Sequence, residues 1–277
     1  MDILLLLTNT ICYAGQSALG KHYARQGGQA HSFNLSKAGS AALLFLVWLI
    51  VKWQGVHWST LPWAAAYGVC LCISMYAGFM ALSCGPMALT SILASMSLIV
   101  PFFWGVTFWK ESISLLAILG VFLLLCAIIL ICFKKERKFS IRWLIFSLIT
   151  MATNGVCSVI QKYHQLSFPG HFQVDFMLFA MTTVTILLLL ALPVQKCKLP
   201  KPSLLGIGAG SLNGLANFAV LLLARTGNAT SLFPMVSVCN VMAAWLTGIV
   251  FFREKTKAIQ FIGLAIGIIG IFLLNIT

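Results

Sequence analysis

The heptapeptide Gly105-Val-Thr-Phe-Trp-Lys-Glu111 returns in the second half of the chain as Gly248-Ile-Val-Phe-Phe-Arg-Glu254. Each copy closes an apolar run with a basic residue followed by an acid, in a protein where acids are scarce. The same offset that carries Glu111 onto Glu254 carries Gly120 onto Gly263 in the next apolar run. Nearly the same offset sets Asn9, Cys12 and Gln16 on Asn154, Cys157 and Gln161, and Gly68 and Gly85 on Gly210 and Gly227. An offset that persists across several runs marks an internal duplication, and repeats of this length precede any motif-level reading.

The surroundings of the repeat fix the fold class. Of 277 residues, 60% are hydrophobic and 8% are charged. A soluble domain carries about 25% charged residues, so a water-soluble enzyme is excluded, and disorder needs low hydrophobicity. Membrane β-barrel strands alternate apolar and polar residues, whereas this chain stays apolar for about twenty residues at a time, enough for a helix to cross about 30 Å of hydrocarbon. Ten such spans are expected, at roughly 3–24, 33–53, 62–83, 86–108, 113–133, 141–163, 173–194, 203–224, 229–251 and 258–275. The first has neither a cationic leader nor a cleavage site and reads as a retained helix. Trp48, Trp53, Trp58 and Trp63 flank one gap as an interfacial belt would. The fold expected is an all-α integral membrane protein of ten helices in two five-helix repeats, 1–135 and 140–277. Because five is odd, the second repeat is inverted, which is an architecture of secondary transporters with the solute site near the midplane.

Loop charge speaks to orientation. Lys21, Arg25, Lys37, Lys134, Lys135, Arg137, Lys138, Arg142, Lys196, Lys198, Lys201, Arg253, Lys255 and Lys257 all fall in gaps on one side, against Lys52, Lys110, Lys162 and Arg225 on the other. The positive-inside rule then places both termini outside the cytoplasm. The net charge of +13 belongs to these anchoring loops and not to a nucleic-acid surface. Nine cysteines, mostly within apolar runs, behave as small hydrophobes and frame neither disulfides nor a metal site.

Ten spans, two five-helix repeats and the Gly…(Lys/Arg)-Glu ending together resemble the EamA-type drug/metabolite transporter superfamily, along the whole chain. The resemblance implies a central cavity lined by helices 1, 3, 4, 6, 8 and 9, with helices 5 and 10 peripheral. It implies cytoplasmic termini, opposite to the charge count. The candidate kinks depart from symmetry, since Pro101 maps onto Ala244 and Pro234 onto Ser91.

A charge at a helix centre costs about 2.5–3.5 kcal/mol on insertion scales, and Asp2, Glu111, Glu136, Asp175 and Glu254 all lie at or near span ends. A carrier that cycles a proton on a membrane-buried carboxylate is therefore disfavoured, and Asp175 reads first as an interfacial cap. Amides form the polar signal instead. Asn9, Tyr13 and Gln16 share one face of helix 1, and Asn154, Ser158 and Gln161 repeat that spacing in helix 6. Asn213 and Asn217 pair in helix 8. Ser91, Ser95, Ser237 and Asn240 are further polar candidates, and Tyr76 and Trp104 offer stacking surfaces. The alternative is interhelical glue, since an unpartnered amide in hydrocarbon is costly wherever it stands. Lys21 and Lys162 are candidate anion contacts, or cations snorkelling to headgroups. The GxxxGxxxG run at Gly206, Gly210 and Gly214, like Gly263 and Gly267, permits close helix packing; inside a span it is no dinucleotide loop.

No HExxH, P-loop or catalytic triad pattern is present. The chain is thus expected to be no enzyme, to need no metal or cofactor, and to carry no ATPase motor. The function expected is alternating-access transport of a small organic solute (amino acid, metabolite or drug-like compound) across a cell membrane, in a bacterium the inner one. The partners expected are that solute and the bilayer. Alternatives are a lipid or lipid-linked sugar flippase of the same architecture, and an intramembrane enzyme.

Overall fold

A computed structural model describes residues 3–27, 29–52, 55–84, 93–94, 96–111, 114–131, 140–194, 203–226, 228–252 and 258–276. Every regular element among them is a helix: α1 (Ile3–Arg25), α2 (Ala30–Val51), α3 (Leu61–Cys84), α4 (Ile99–Thr107), α5 (Leu115–Ile131), α6 (Ile141–Ser167), α7 (Gln173–Val194), α8 (Leu204–Thr226), α9 (Ala229–Phe252) and α10 (Ala258–Ile276). Short 3-10 turns, Trp58–Thr60 and Met96–Leu98, lead into α3 and α4. Seven helices are long and apolar enough to cross a membrane, and three further apolar helices, within Met96–Thr107, Leu115–Leu130 and Phe261–Gly270, are shorter over the described residues. This is a multi-pass helical membrane protein.

Burial is distributed as lipid solvent requires. Large apolar side chains such as Leu4, Ile11, Leu43, Leu115, Phe122, Leu190, Val250 and Phe272 are exposed, while Asn9, Gln16, Ser74, Gln161 and Gln165 are buried. In water such an apolar exterior would drive association. In hydrocarbon it costs nothing, and the buried amides escape the penalty of facing lipid.

By packing, the chain divides into two compact units that cut across the sequence halves. Unit one holds Ile73–Val159 and Thr226–Thr277; unit two holds Asp2–Cys72 and Ile160–Arg225. Helices α3 and α6 therefore contribute a segment to each.

In unit one, α5, α9 and the turn into α4 share a core of Leu98, Val121, Leu124, Ile128, Met235 and Val238, with Ile99 and Phe102 of α4 packed against it. Gly270 of α10 admits α5 closely: a Cβ there would stand 3.1 Å from the Gly120 carbonyl oxygen and 2.6 Å from Leu124 Cδ2. In unit two the glycine run of α8 meets α2. A Cβ on Gly206 would lie 2.8 Å from Ser36 Cβ, and one on Gly210 would collide with Ser40 Oγ and the Lys37 carbonyl. Serines then stitch the contact: Ser40 Oγ donates to the Ile207 carbonyl at 3.1 Å, and Ser203 N donates to Ser36 Oγ at 3.0 Å. Small residues bring the backbones together, and short hydroxyls satisfy carbonyls that lipid could not.

The quoted heptapeptide has a structural explanation. Lys110 takes a positive φ of 50°, which turns the chain back so that Glu111 N donates to the Gly105 carbonyl at 3.1 Å. The carboxylate then accepts the first amides of α9, Ala229 N at 2.9 Å and Thr230 N at 3.0 Å. Those amides have no intrahelical acceptor, and the helix dipole favours an anion there. Gly105 is small because Glu111 lies over it: an added Cβ would be 2.9 Å from Glu111 Oε2 and 2.9 Å from Thr230 Cγ2. Gly248 is buried in α9, and Glu254 lies outside the described residues.

The prolines differ in setting. Pro234 stands inside α9, where the ring has no N–H to give to the helix ladder. Pro101 stands at the third residue of α4, which continues directly from the Met96–Leu98 turn.

Candidate functional site

Helix α6 carries an unbroken polar ridge. Ser147, Thr150, Asn154, Ser158, Gln161 and Gln165 recur at intervals of three and four and so fall on one face. Ser147, Thr150, Gln161 and Gln165 are buried and the other two half-buried. Helix α3 answers with a stripe at heptad spacing, Tyr67 and Ser74, preceded by Thr60 in the 3-10 turn; all three are buried.

The densest cluster is in unit two. Tyr67 Oη, 1% exposed, donates to Asn217 Oδ1 at 2.8 Å. Gln161 Nε2 lies 3.5 Å from Tyr67 Oη and 3.4 Å from the Asn217 carbonyl oxygen, a donor shared between α3 and α8. Asn217 Nδ2 donates to the Asn213 carbonyl at 2.8 Å, and Asn9 Nδ2 of α1 reaches the Ala216 carbonyl at 3.0 Å. Four helices (α1, α3, α6 and α8) thus place amides and a phenol around one stretch of α8. Two acceptors are left over: Asn9 Oδ1 and Gln16 Oε1 are buried and have no hydrogen-bond partner among the described residues. An unmet buried acceptor carries a desolvation cost of about 1–3 kcal/mol.

The ridge continues past this cluster. Gln165 Nε2 donates to His164 Nδ1 at 3.0 Å, and its Oε1 faces Gln173 Nε2 at 3.5 Å. That amide orientation puts the ring proton of neutral His164 on Nε2, a buried donor with no acceptor among the described residues. The ring packs 4.4 Å from Phe176, which also meets Tyr67 at 5.4 Å. Asp175, one residue before Phe176, is buried and its Oδ1 accepts His57 N at 3.2 Å, which ties the residue before the Trp58–Thr60 turn to α7.

Unit one has a smaller polar contact. Ser74 Oγ donates to Asn154 Oδ1 at 2.6 Å, and Ser158 Oγ bonds back to the Asn154 carbonyl at 3.3 Å. Trp104 is half-buried and stacks on Phe108 at 4.2 Å. Tyr76, Ser237 and Asn240 are half-buried, and Asn240 Oδ1 is a buried acceptor without a partner among the described residues.

Of the residues expected from sequence, Gln161, Asn217 and Asn213 are joined by hydrogen bonds, and Asn9 reaches the Ala216 carbonyl beside Asn217. Asn154 is joined to Ser74 in unit one. Tyr13 is 37% exposed although Asn9 and Gln16 on its stripe are buried. Ser91 and Ser95 lie outside the described residues. Sequence reading overlooked Tyr67, Ser74 and Gln165, whose signal was the heptad stripe of α3 and the extension of the α6 spacing by one more turn, and it set His164 in or beside a gap, whereas that residue is buried within α6. It also counted Lys37 as a loop cation; the residue lies two turns inside α2.

No protein-family model matches the chain, and neither does the sequence of any curated protein. A solved crystal structure of a protein is similar over 99% of both chains, with a TM-score of 0.80 at 13% identity. At that identity the likeness shows a common fold alone.

Proposed function

We propose that the chain is a secondary carrier of the drug/metabolite type, moving a small organic solute across a membrane by alternating access, with the Asn9–Tyr67–Gln161–Asn217 cluster in the solute's path. The observation that carries this reading is the polar ridge along α6. A helix that only needed glue would hold one or two polar contacts, each satisfied; this one has a polar face from Ser147 to Gln165. Polar residues in a bilayer are expensive and mark pathways by default. The unmet acceptors Asn9 Oδ1 and Gln16 Oε1 supply valences that a solute can fill, and repeats of inverted threading supply the means of alternating exposure. With no ATP-binding motif in the chain, the driving force is the solute's own gradient or that of a coupled ion.

The test is uptake into proteoliposomes across a broad metabolite panel. The wild-type chain takes up at least one solute saturably, and Gln161→Leu and Asn154→Leu each cut the initial rate about tenfold or more. A panel with no saturable uptake, together with leucine variants indistinguishable from wild type, ends the carrier reading.

A further inference from the structure

The membrane-length helices of unit two hold an excess of positive charge. Their described residues include Lys21, Lys37, Lys162 and Arg225 against a single acid, Asp175, whose Oδ1 is already taken by His57 N. Lys162 is buried in α6, five residues from its end, and Lys37 stands furthest of these cations from an end of its own helix. It follows the start of α2 at Ala30 by seven residues, about 10 Å along the axis at 1.5 Å per residue, and is half-buried. Close approaches define its surroundings. Its carbonyl lies against Gly210 of α8; a Cβ on Gly208 would be 3.4 Å from Leu19 of α1, and one on Gly20 would be 3.4 Å from Phe33 of α2. Helices α1, α2 and α8 therefore converge at this level with α7 packed along α2, and the described acid of these four helices is Asp175, in the first turn of α7. Gln16, one turn before Gly20, carries the unmet buried acceptor already noted. A cation two turns into a membrane helix is expensive, and such residues mark the paths of charges of opposite sign.

We propose that the carried solute is an oxyanion, a carboxylate or phosphate, and that Lys37 receives its charged group. The inference rests on the carrier reading for the word solute, but the binding step stands apart from it. An anionic lipid headgroup has the same oxygen chemistry, so the experiment separates the two sources.

Thermal unfolding of the full chain in neutral detergent, at ionic strength held constant with chloride, is followed against inorganic phosphate, succinate, glucose, choline and phosphatidylglycerol. Phosphate or succinate raises Tm saturably in the wild type. The half-saturating concentration rises at least tenfold in Lys37→Gln, by less than threefold in Lys37→Arg, and not at all in Lys52→Gln, an exposed lysine at the end of the same helix. Lys37→Met, suited to an apolar helix, replaces Lys37→Gln if the latter does not purify as one species. Equal anion responses in wild type and Lys37 variants, responses confined to glucose or choline, or a response to phosphatidylglycerol alone each overturn the proposal. Uptake of labelled phosphate, succinate and glucose into liposomes tells the two readings apart. Lys37-dependent anion binding without uptake keeps the anion site and removes the carrier. Saturable glucose uptake, equal in wild type and Lys37→Met, keeps the carrier and removes the anion site.

Discussion

At the scale of single residues, the cluster in unit two is a chain of donors that has run out of acceptors at one end and of donors at the other. Tyr67 is its pivot: the phenol donates to Asn217 Oδ1 and accepts from Gln161 Nε2. Removing that hydroxyl takes the donor from Asn217 Oδ1 and leaves Gln161 Nε2 with the Asn217 carbonyl alone, and an unsatisfied buried polar group costs about 1–3 kcal/mol. Tyr67→Phe should therefore lower Tm measurably and reduce uptake, whereas Tyr23→Phe, outside the cluster, should leave both unchanged; differential scanning fluorimetry and liposome uptake on the same preparations check this. The amides of this site were legible in the sequence because an amide in an apolar run has few uses. Tyr67 and Ser74 were not, because tyrosine is amphipathic and serine is small enough to bond its own helix, as Thr183 does with the Phe179 carbonyl. Only their common face on α3 distinguishes them, and periodicity over two residues is weak evidence.

At the scale of elements, two glycine contacts set how closely helices approach. The α2–α8 contact has backbone against backbone at Gly210, so a larger side chain there must separate the helices and break the Ser40 and Ser36 bonds together. Gly210→Leu is expected to abolish monodisperse protein on size exclusion, and Gly39→Leu, with nothing within 4 Å of its added Cβ, is expected to be tolerated. The second contact is the Gly105–Glu111 turn. Glu111→Ala removes a charged cap from α9 and should cost about 1–2 kcal/mol, read as a lowered Tm, with Glu111→Gln recovering part of the loss. Most helix limits were visible in advance, because hydrocarbon thickness dictates length. The sequence expectation of a helix from about 62 to 83 meets the observed Leu61–Cys84. The role of Glu111 was not visible, because its partners Ala229 and Thr230 are remote in sequence and contribute only backbone amides.

At the scale of the whole molecule, an apolar exterior and an amide-rich interior invert the arrangement of a soluble protein, and composition alone announced that inversion. What composition does not encode is which polar faces meet, since leucine-rich helices can dock in many registers. The division into packing units illustrates this. The repeat expected from the sequence would relate 1–135 to 140–277, whereas the compact units interleave segments from both. Ten crossings, the number expected from the sequence, would put residues 1 and 277 on one face of the membrane. Reporter fusions at residues 1 and 277 should give the same compartment, and a cysteine introduced as Glu136→Cys should label from the opposite one. Discordant fusions would remove one crossing from the count.

The double amide grip of Glu111 has a mechanical consequence. Two bonds to one carboxylate fix direction as well as position, so the tail of α4 and the opening turn of α9 move as one solid piece. Only four residues beyond Thr230, Pro234 leaves a rung out of the ladder. Anchor and loosened joint thus stand one helical turn apart, and any swing of α9 is steered to start at that joint, with its root held fast.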